Sequence, residues 1–102
     1  RLVVPSLHYW EMANVLRTYV RRHEVAPALA SDIYALHLEA PIETDEPERS
    51  EVLAAALELD ATAYDAVFIA LARGLDVPLL TAERKTTPWV ARFGMRVETV
   101  SG

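Results

Sequence analysis

Three short apolar runs, "LVV" at 2–4, "VPLLT" at 77–81 and "MRVETV" at 95–100, have the length of strands, and the stretches between them repeat with the spacing of amphipathic helices. A chain that alternates in this way is expected to form an α/β domain with a mostly parallel sheet covered by helices in three layers. Pro5 closes the first run, and Ser6 stands as the N-cap of a helix reaching about Arg22. In that helix Met12, Val15, Leu16, Tyr19 and Val20 supply an apolar side, while Arg17, Arg21 and Arg22 crowd the last turns, where cations suit the helix dipole. A second helix near 26–39 carries Leu29, Ile33 and Leu36 at helical spacing and is expected to pack on the first. "PIET" at 41–44 reads as a further strand, and a helix over 47–59 has Pro47 near its first turn. "TAYDAVFIALA" opens a helix over 62–73 that Gly74 would end. "ERKTTPWVARF" reads as a short irregular helix broken at Pro88.

A length of 102 residues suits one domain over 1–102, and 52% hydrophobic with 25% charged residues supports a packed core rather than disorder. The net charge of −5 argues against a broad basic surface for nucleic acid, yet is compatible with an acidic pocket flanked by local basic patches. The absence of cysteine removes disulfides, thiolate nucleophiles and zinc sites of the Cys type. No apolar run is long enough to span a bilayer and the amino terminus is not signal-like, so a cytoplasmic protein without membrane contact is expected. The chain opens on Arg1 and runs at once into "LVVP", which reads as the tail of a longer protein.

In a parallel sheet the N-termini of the connecting helices and the C-termini of the strands share one edge, and ligands bind there. Three carboxylates fall on that edge: Glu11 in the second turn after the first strand, Asp65 in the first turn of its helix, and Glu83 two residues beyond Thr81. Each has a plainer reading. Thr62 and Asp65 have the spacing of a capping box, Glu11 is an ordinary helical surface charge, Glu83 begins a mixed-charge loop with Arg84 and Lys85, and Thr81 is a strand-ending cap. A cap is worth about 1 kcal/mol, whereas two carboxylates about 4 Å apart repel by roughly 4 kcal/mol at an effective dielectric of 20. If the three acids converge, a cation must offset their repulsion, and hard oxygen donors favour Mg²⁺ or Mn²⁺ over Zn²⁺. Leu7 and Val15 flank Glu11 at i−4 and i+4, and Asn14 follows it at i+3.

His8, His23 and His37 show no ligand spacing and read as surface or core packing. "RRH" at 21–23 reads as a helix C-terminal device, the acids of "EAPIETDEPERSE" as a solvated loop and helix start, and Trp10, Trp89 and the tyrosines as packing. No phosphate-binding glycine loop and no nucleophile elbow is present. A phosphoacceptor receiver would need a catalytic Lys after a late strand, and Lys85, the sole lysine, is poorly placed for that beside Glu83.

"VPSLHYWEMANVL", "TAYDAVFIALARGLDVPLLTAERK" and the closing "VETV" together resemble the PIN-domain family, in particular the VapC-type toxin ribonucleases of toxin–antitoxin pairs. The resemblance runs over essentially the whole chain. It implies a divalent-metal-dependent endoribonuclease, with Mg²⁺ or Mn²⁺ held by Glu11, Asp65 and Glu83 and with Asn14, Thr62, Thr81, Arg84 and Lys85 in support or against the substrate. It also implies an RNA substrate and a VapB-type antitoxin, while a homodimer or strand exchange is expected because a missing central strand would expose backbone edges and apolar sheet faces. Two departures accompany it: the family's usual first strand, its acid and the following helix are expected to be missing here, and Glu83 stands where the family usually has Asp. The alternative these departures raise is a non-catalytic PIN-like interaction module.

Overall fold

The computed structural model describes residues 2–81 and 97–99, with side chains over 2–79. The chain divides into two compact units, Arg1–Thr44 and Asp45–Gly102.

The first unit runs β1 (Val3–Val4), α1 (Leu7–Arg21), α2 (Pro27–Glu39) and β2 (Glu43–Thr44). The two strands pair in parallel, Val3 against Glu43 and Val4 against Thr44, so α1 and α2 together form the crossover between them. Ser6 occupies the N-cap position, but its backbone is already helical and its side chain makes no cap hydrogen bond. Helix α1 ends in a Schellman motif: His23, at φ 60°, donates to the Val20 carbonyl, and Glu24 N–H donates to the Tyr19 carbonyl. "RRH" is therefore a helix terminator, as its composition indicates. Pro27 starts α2 at the position where a missing N–H costs nothing.

Helices α1 and α2 pack together, but not through the expected leucines. Leu29 and Leu36 are exposed, and the residue of α2 that is buried is Ala30, with Tyr34 and His37 following on the same side one and two turns later. The spacing was right and the phase was one residue off. Tyr34 and His37 supply polar groups that reach α1, whereas Leu29 and Leu36 offer only area. On α1 the buried residue is Leu16, while Val15 and Tyr19 are exposed, so the apolar side is narrower than the sequence suggests. Trp10 is 69% exposed, which overturns its reading as a packing residue; Trp89 lies outside the described residues.

The second unit runs α3 (Arg49–Leu59), α4 (Ala63–Leu75), β3 (Leu79–Thr81) and β4 (Val97–Thr99). Strands β3 and β4 are parallel, Leu79 against Val97 and Thr81 against Thr99. Every described strand thus belongs to a parallel pair, which bears out the α/β reading. Pro47 precedes α3 rather than entering its first turn. The core of the unit is Ala55, Ala56 and Leu59 of α3, Ala66, Ile69 and Ala72 of α4, and Leu79 of β3. Alanines at the contact let the two helix axes approach closely, and the larger Leu59 and Ile69 fill the space on either side. At the outer edge Arg73 makes two hydrogen bonds to the Glu58 carboxylate, at 2.8 and 3.2 Å, which hold that carboxyl below its ordinary range.

Gly74 does not end α4. The helix continues to Leu75, and Asp76 takes the left-handed conformation at φ 54°, with Asp76 N–H on the Arg73 carbonyl and Val77 N–H on the Ala72 carbonyl. This Schellman geometry favours glycine at the position of Asp76, because a Cβ there meets the neighbouring carbonyl. Asp76→Val, whose branched Cβ tolerates this conformation far less well than Asp, is accordingly expected to destabilise the protein by about 1 kcal/mol or more, a fall of several degrees in Tm. Thermal unfolding of the variant checks the sign.

Candidate active site

Asp65 is the candidate whose placement is most fully described. Thr62 has extended backbone, φ −66° and ψ 159°, and its hydroxyl accepts a hydrogen bond from Asp65 N–H at 3.1 Å. The Thr62 carbonyl accepts from Ala66 N–H at 2.9 Å, the first bond of α4. One half of the expected capping box is therefore formed, and the part of Asp65 that forms it is its backbone. Among the described residues the Asp65 carboxylate makes no hydrogen bond back to Thr62.

The helix phase explains where that carboxylate stands. Residues 65, 69 and 72 lie on one face of α4, and Ile69 and Ala72 are buried in the core. Asp65 is the first member of this inward row, half-buried at the end of the helix, while its neighbour Tyr64 is 66% exposed. An apolar residue would complete the row at no desolvation cost, and a carboxylate does not. The helix dipole favours an acid in the first turn by about 0.3–1 kcal/mol, but the cap bond itself uses only the backbone of Asp65.

Glu11 is carried by α1, in the first unit, and is exposed, as are its neighbours Asn14 and Val15. The flanking Leu7 and Val15 do not make a buried stripe around it, so its position is that of a surface carboxylate near the start of a helix that follows a parallel strand. Asn14 takes part in α1 through its carbonyl, which accepts from the Thr18 hydroxyl at 3.0 Å. Thr81 closes β3. Glu83, Arg84 and Lys85 lie outside the described residues. Among the described residues no three His, Asp or Glu side chains come close enough to hold a metal ion. The donors of the candidate set are nevertheless carboxylate oxygens throughout, which is the chemistry that suits Mg²⁺ and Mn²⁺.

With strands in parallel pairs, an acid at the end of the inward face of α4 and a second acid in the second turn of the helix after β1, the comparison with known families becomes decisive. A PIN-domain profile matches residues 1–87. The chain belongs to the PIN-domain family. PIN domains are typically metal-dependent nucleases, and their fold is α/β, as found here. Comparison with curated proteins gives no match. Among the described residues no helix of this PIN domain is long and apolar enough to cross a membrane.

Local spacing does not reveal one pair of side chains in the first unit. His8, in the first turn of α1, and His37, in the last turn of α2, bring their Nε2 atoms to 2.7 Å. Beside them the Tyr34 hydroxyl donates to the Tyr9 carbonyl at 2.7 Å, and the Tyr9 ring lies against both imidazoles. The histidines are 29 residues apart in sequence. The signal that locates them is topological: a β-α-α-β unit with parallel strands sets the start of one helix beside the end of the next.

An Nε2 to Nε2 hydrogen bond needs one donor and one bare lone pair, so one of the two rings is neutral. Burial, and then the proximity of His37, lower the pKa of His8 below its ordinary 6.5. As pH falls through 6.5, the unfolded chain takes up a proton at His8 before the folded chain does, so stability is full above that value and declines below it. Tm is expected to fall with acidification from 6.5 downward, with a shallower slope in His8→Gln; equal slopes would assign the loss to other groups.

Proposed function

We propose that this PIN domain is a VapC-type endoribonuclease, the toxin of a toxin–antitoxin pair, which hydrolyses RNA phosphodiester bonds with Mg²⁺ or Mn²⁺. The observation that carries the reading is the split role of Asp65: its backbone N–H completes the Thr62 cap, and its half-buried carboxylate, which that cap does not use, heads a buried row. The residues assigned to the metal are Glu11, Asp65 and Glu83, with Asn14, Thr62 and Thr81 in support and Arg84 and Lys85 assigned to the RNA backbone. A divalent ion held there supplies Lewis-acid polarisation of the phosphodiester and of the attacking water.

The chain's own residues then have separate tasks. Asp65 and Glu11 fix the charge of the site, and the Thr62 bond orients Asp65 by locking the first turn of α4. Arg84 and Lys85 bind phosphate oxygens as fixed cations, which gives local attraction to RNA in a chain of net charge −5. Glu83 in place of Asp extends the carboxylate by one methylene, so metal affinity is sensitive to that side chain.

Exposed apolar residues support the partner half of the proposal. Leu29, Leu36 and Leu38 of α2 and Val15 and Tyr19 of α1 are at least 42% exposed, a supply of unpartnered area that a VapB-type antitoxin or a second copy of the chain would cover. The same area would serve a non-catalytic PIN-like module. The charge at Asp65 favours the enzyme, because the small helix-dipole gain open to an interaction module does not call for a half-buried carboxylate at the head of a core row.

Asp65→Asn keeps the N–H that completes the cap and removes only the charge, so it tests chemistry apart from fold. In the full-length protein we expect Asp65→Asn and Glu11→Gln each to lower Mg²⁺-dependent cleavage of RNA by about 100-fold or more, with the Tm of Asp65→Asn within a few degrees of wild type. Wild-type-level cleavage in Asp65→Asn would refute the site. Thr62→Ala, by contrast, should destabilise the protein by about 1 kcal/mol.

A further inference from the structure

The His8–His37 pair stands apart from the carboxylate chemistry and has a use of its own. We propose that its two Nε2 atoms form a binding site for a borderline divalent transition ion of the Ni²⁺, Cu²⁺ and Zn²⁺ class, which staples the start of α1 to the end of α2.

Imidazole nitrogen is the donor that this class prefers over Mg²⁺ and Ca²⁺. The two Nε2 atoms face each other across 2.7 Å with one bridging proton between them, so an ion takes the place of that proton and each ring turns to aim its lone pair at the ion rather than at the other nitrogen. With metal–nitrogen bonds of about 2.0–2.1 Å, two ligands at a right angle stand about 2.9 Å apart, and two at a tetrahedral angle about 3.3 Å apart. The observed separation needs to open by a few tenths of an ångström for the first geometry. It lies closer to the right-angled arrangement of Ni²⁺ and Cu²⁺ than to tetrahedral zinc, with water completing the shell.

The spacing is set by the surroundings rather than by the two rings alone. The hydrogen bond from the Tyr34 hydroxyl to the Tyr9 carbonyl ties the helices together one residue from His8 and three from His37. The β1–β2 pairing and the bond from Glu43 N–H to the Leu2 carbonyl tie the same ends of α1 and α2 through the backbone. The Tyr9 ring packs edge-on against His8 and also borders His37, so one aromatic side chain flanks both imidazoles. Two ligands held in advance in this way lose little freedom on binding. The neutral state that burial favours at His8 leaves its ring able to coordinate at neutral pH.

The test is titration calorimetry with Ni²⁺ in excess Mg²⁺, which occupies carboxylate sites, on protein without a histidine tag. The expected result is one Ni²⁺ per chain, with affinity reduced about 100-fold in His8→Gln and in His37→Gln, since either change leaves a single ligand. His23→Gln and Asp65→Asn should bind as the wild type does. No binding, full affinity in both single variants, or an equal loss in His23→Gln would overturn the proposal. If a variant fails to fold, wild-type NMR decides: paramagnetic broadening by Ni²⁺ should reach the His8 and His37 ring signals before that of His23, and the reverse order would overturn it.

Discussion

The contact between α3 and α4 is the constraint on which the candidate site depends. It is built from alanines, with Ala55 and Ala56 on one helix and Ala66 and Ala72 on the other, and Ala66 is fully buried. Small side chains at a helix crossing remove the freedom to roll: turning α4 about its axis would drive Tyr64 or Phe68 into space sized for a methyl group. The azimuth of α4 is thereby fixed, and with it the direction of residue 65, four before Ile69 on the same face. A packing arrangement in one part of the unit decides where a carboxylate stands at the end of the helix.

The helix ends show a second economy. The chain has three glycines, and among the described residues the left-handed positions that close α1, α3 and α4 are filled by His23, Asp60 and Asp76. Asp is among the side chains that tolerate this conformation best, because its short polar group can bond locally. The ends are made at some cost in backbone energy, but each stops its helix at a set residue. For α4 that matters directly, since the turn after Asp76 leads into β3 and so fixes where Thr81 falls along the strand.

What was legible in the sequence was what local chemistry specifies. The order of helices and strands, Pro27 at the start of α2, the Thr62 cap and the inward face of α4 all follow from spacing within a few residues. The misreadings were of another kind. Leu29 and Leu36 have the spacing of a packing face, but which of two adjacent faces of α2 is buried depends on Tyr34 and His37 finding partners on α1. Gly74 is a strong terminator by type, yet the helix runs past it because Asp76 and Val77 can bond the Arg73 and Ala72 carbonyls. Trp10 is apolar enough to be buried, and the side of α1 that meets α2 is not its own. In each case the deciding partner is remote in sequence, and single-sequence periodicity carries no information about it.

Asp65 shows how a fold and a chemical function can share a residue without competing for it. The main chain serves the helix and would do so with almost any side chain, while the carboxylate adds to the fold only its favourable place at the positive end of the helix dipole. A residue so divided can be conservatively changed without unfolding the protein, which is the condition under which a reactive group can be tuned. The histidine pair is the opposite case, for there the side chains themselves join two helices and any chemistry they perform acts on the fold. On the two proposals, hard oxygen donors on one set of residues and imidazole nitrogens on another would sort cations by their nature, so filling one site would not require filling the other.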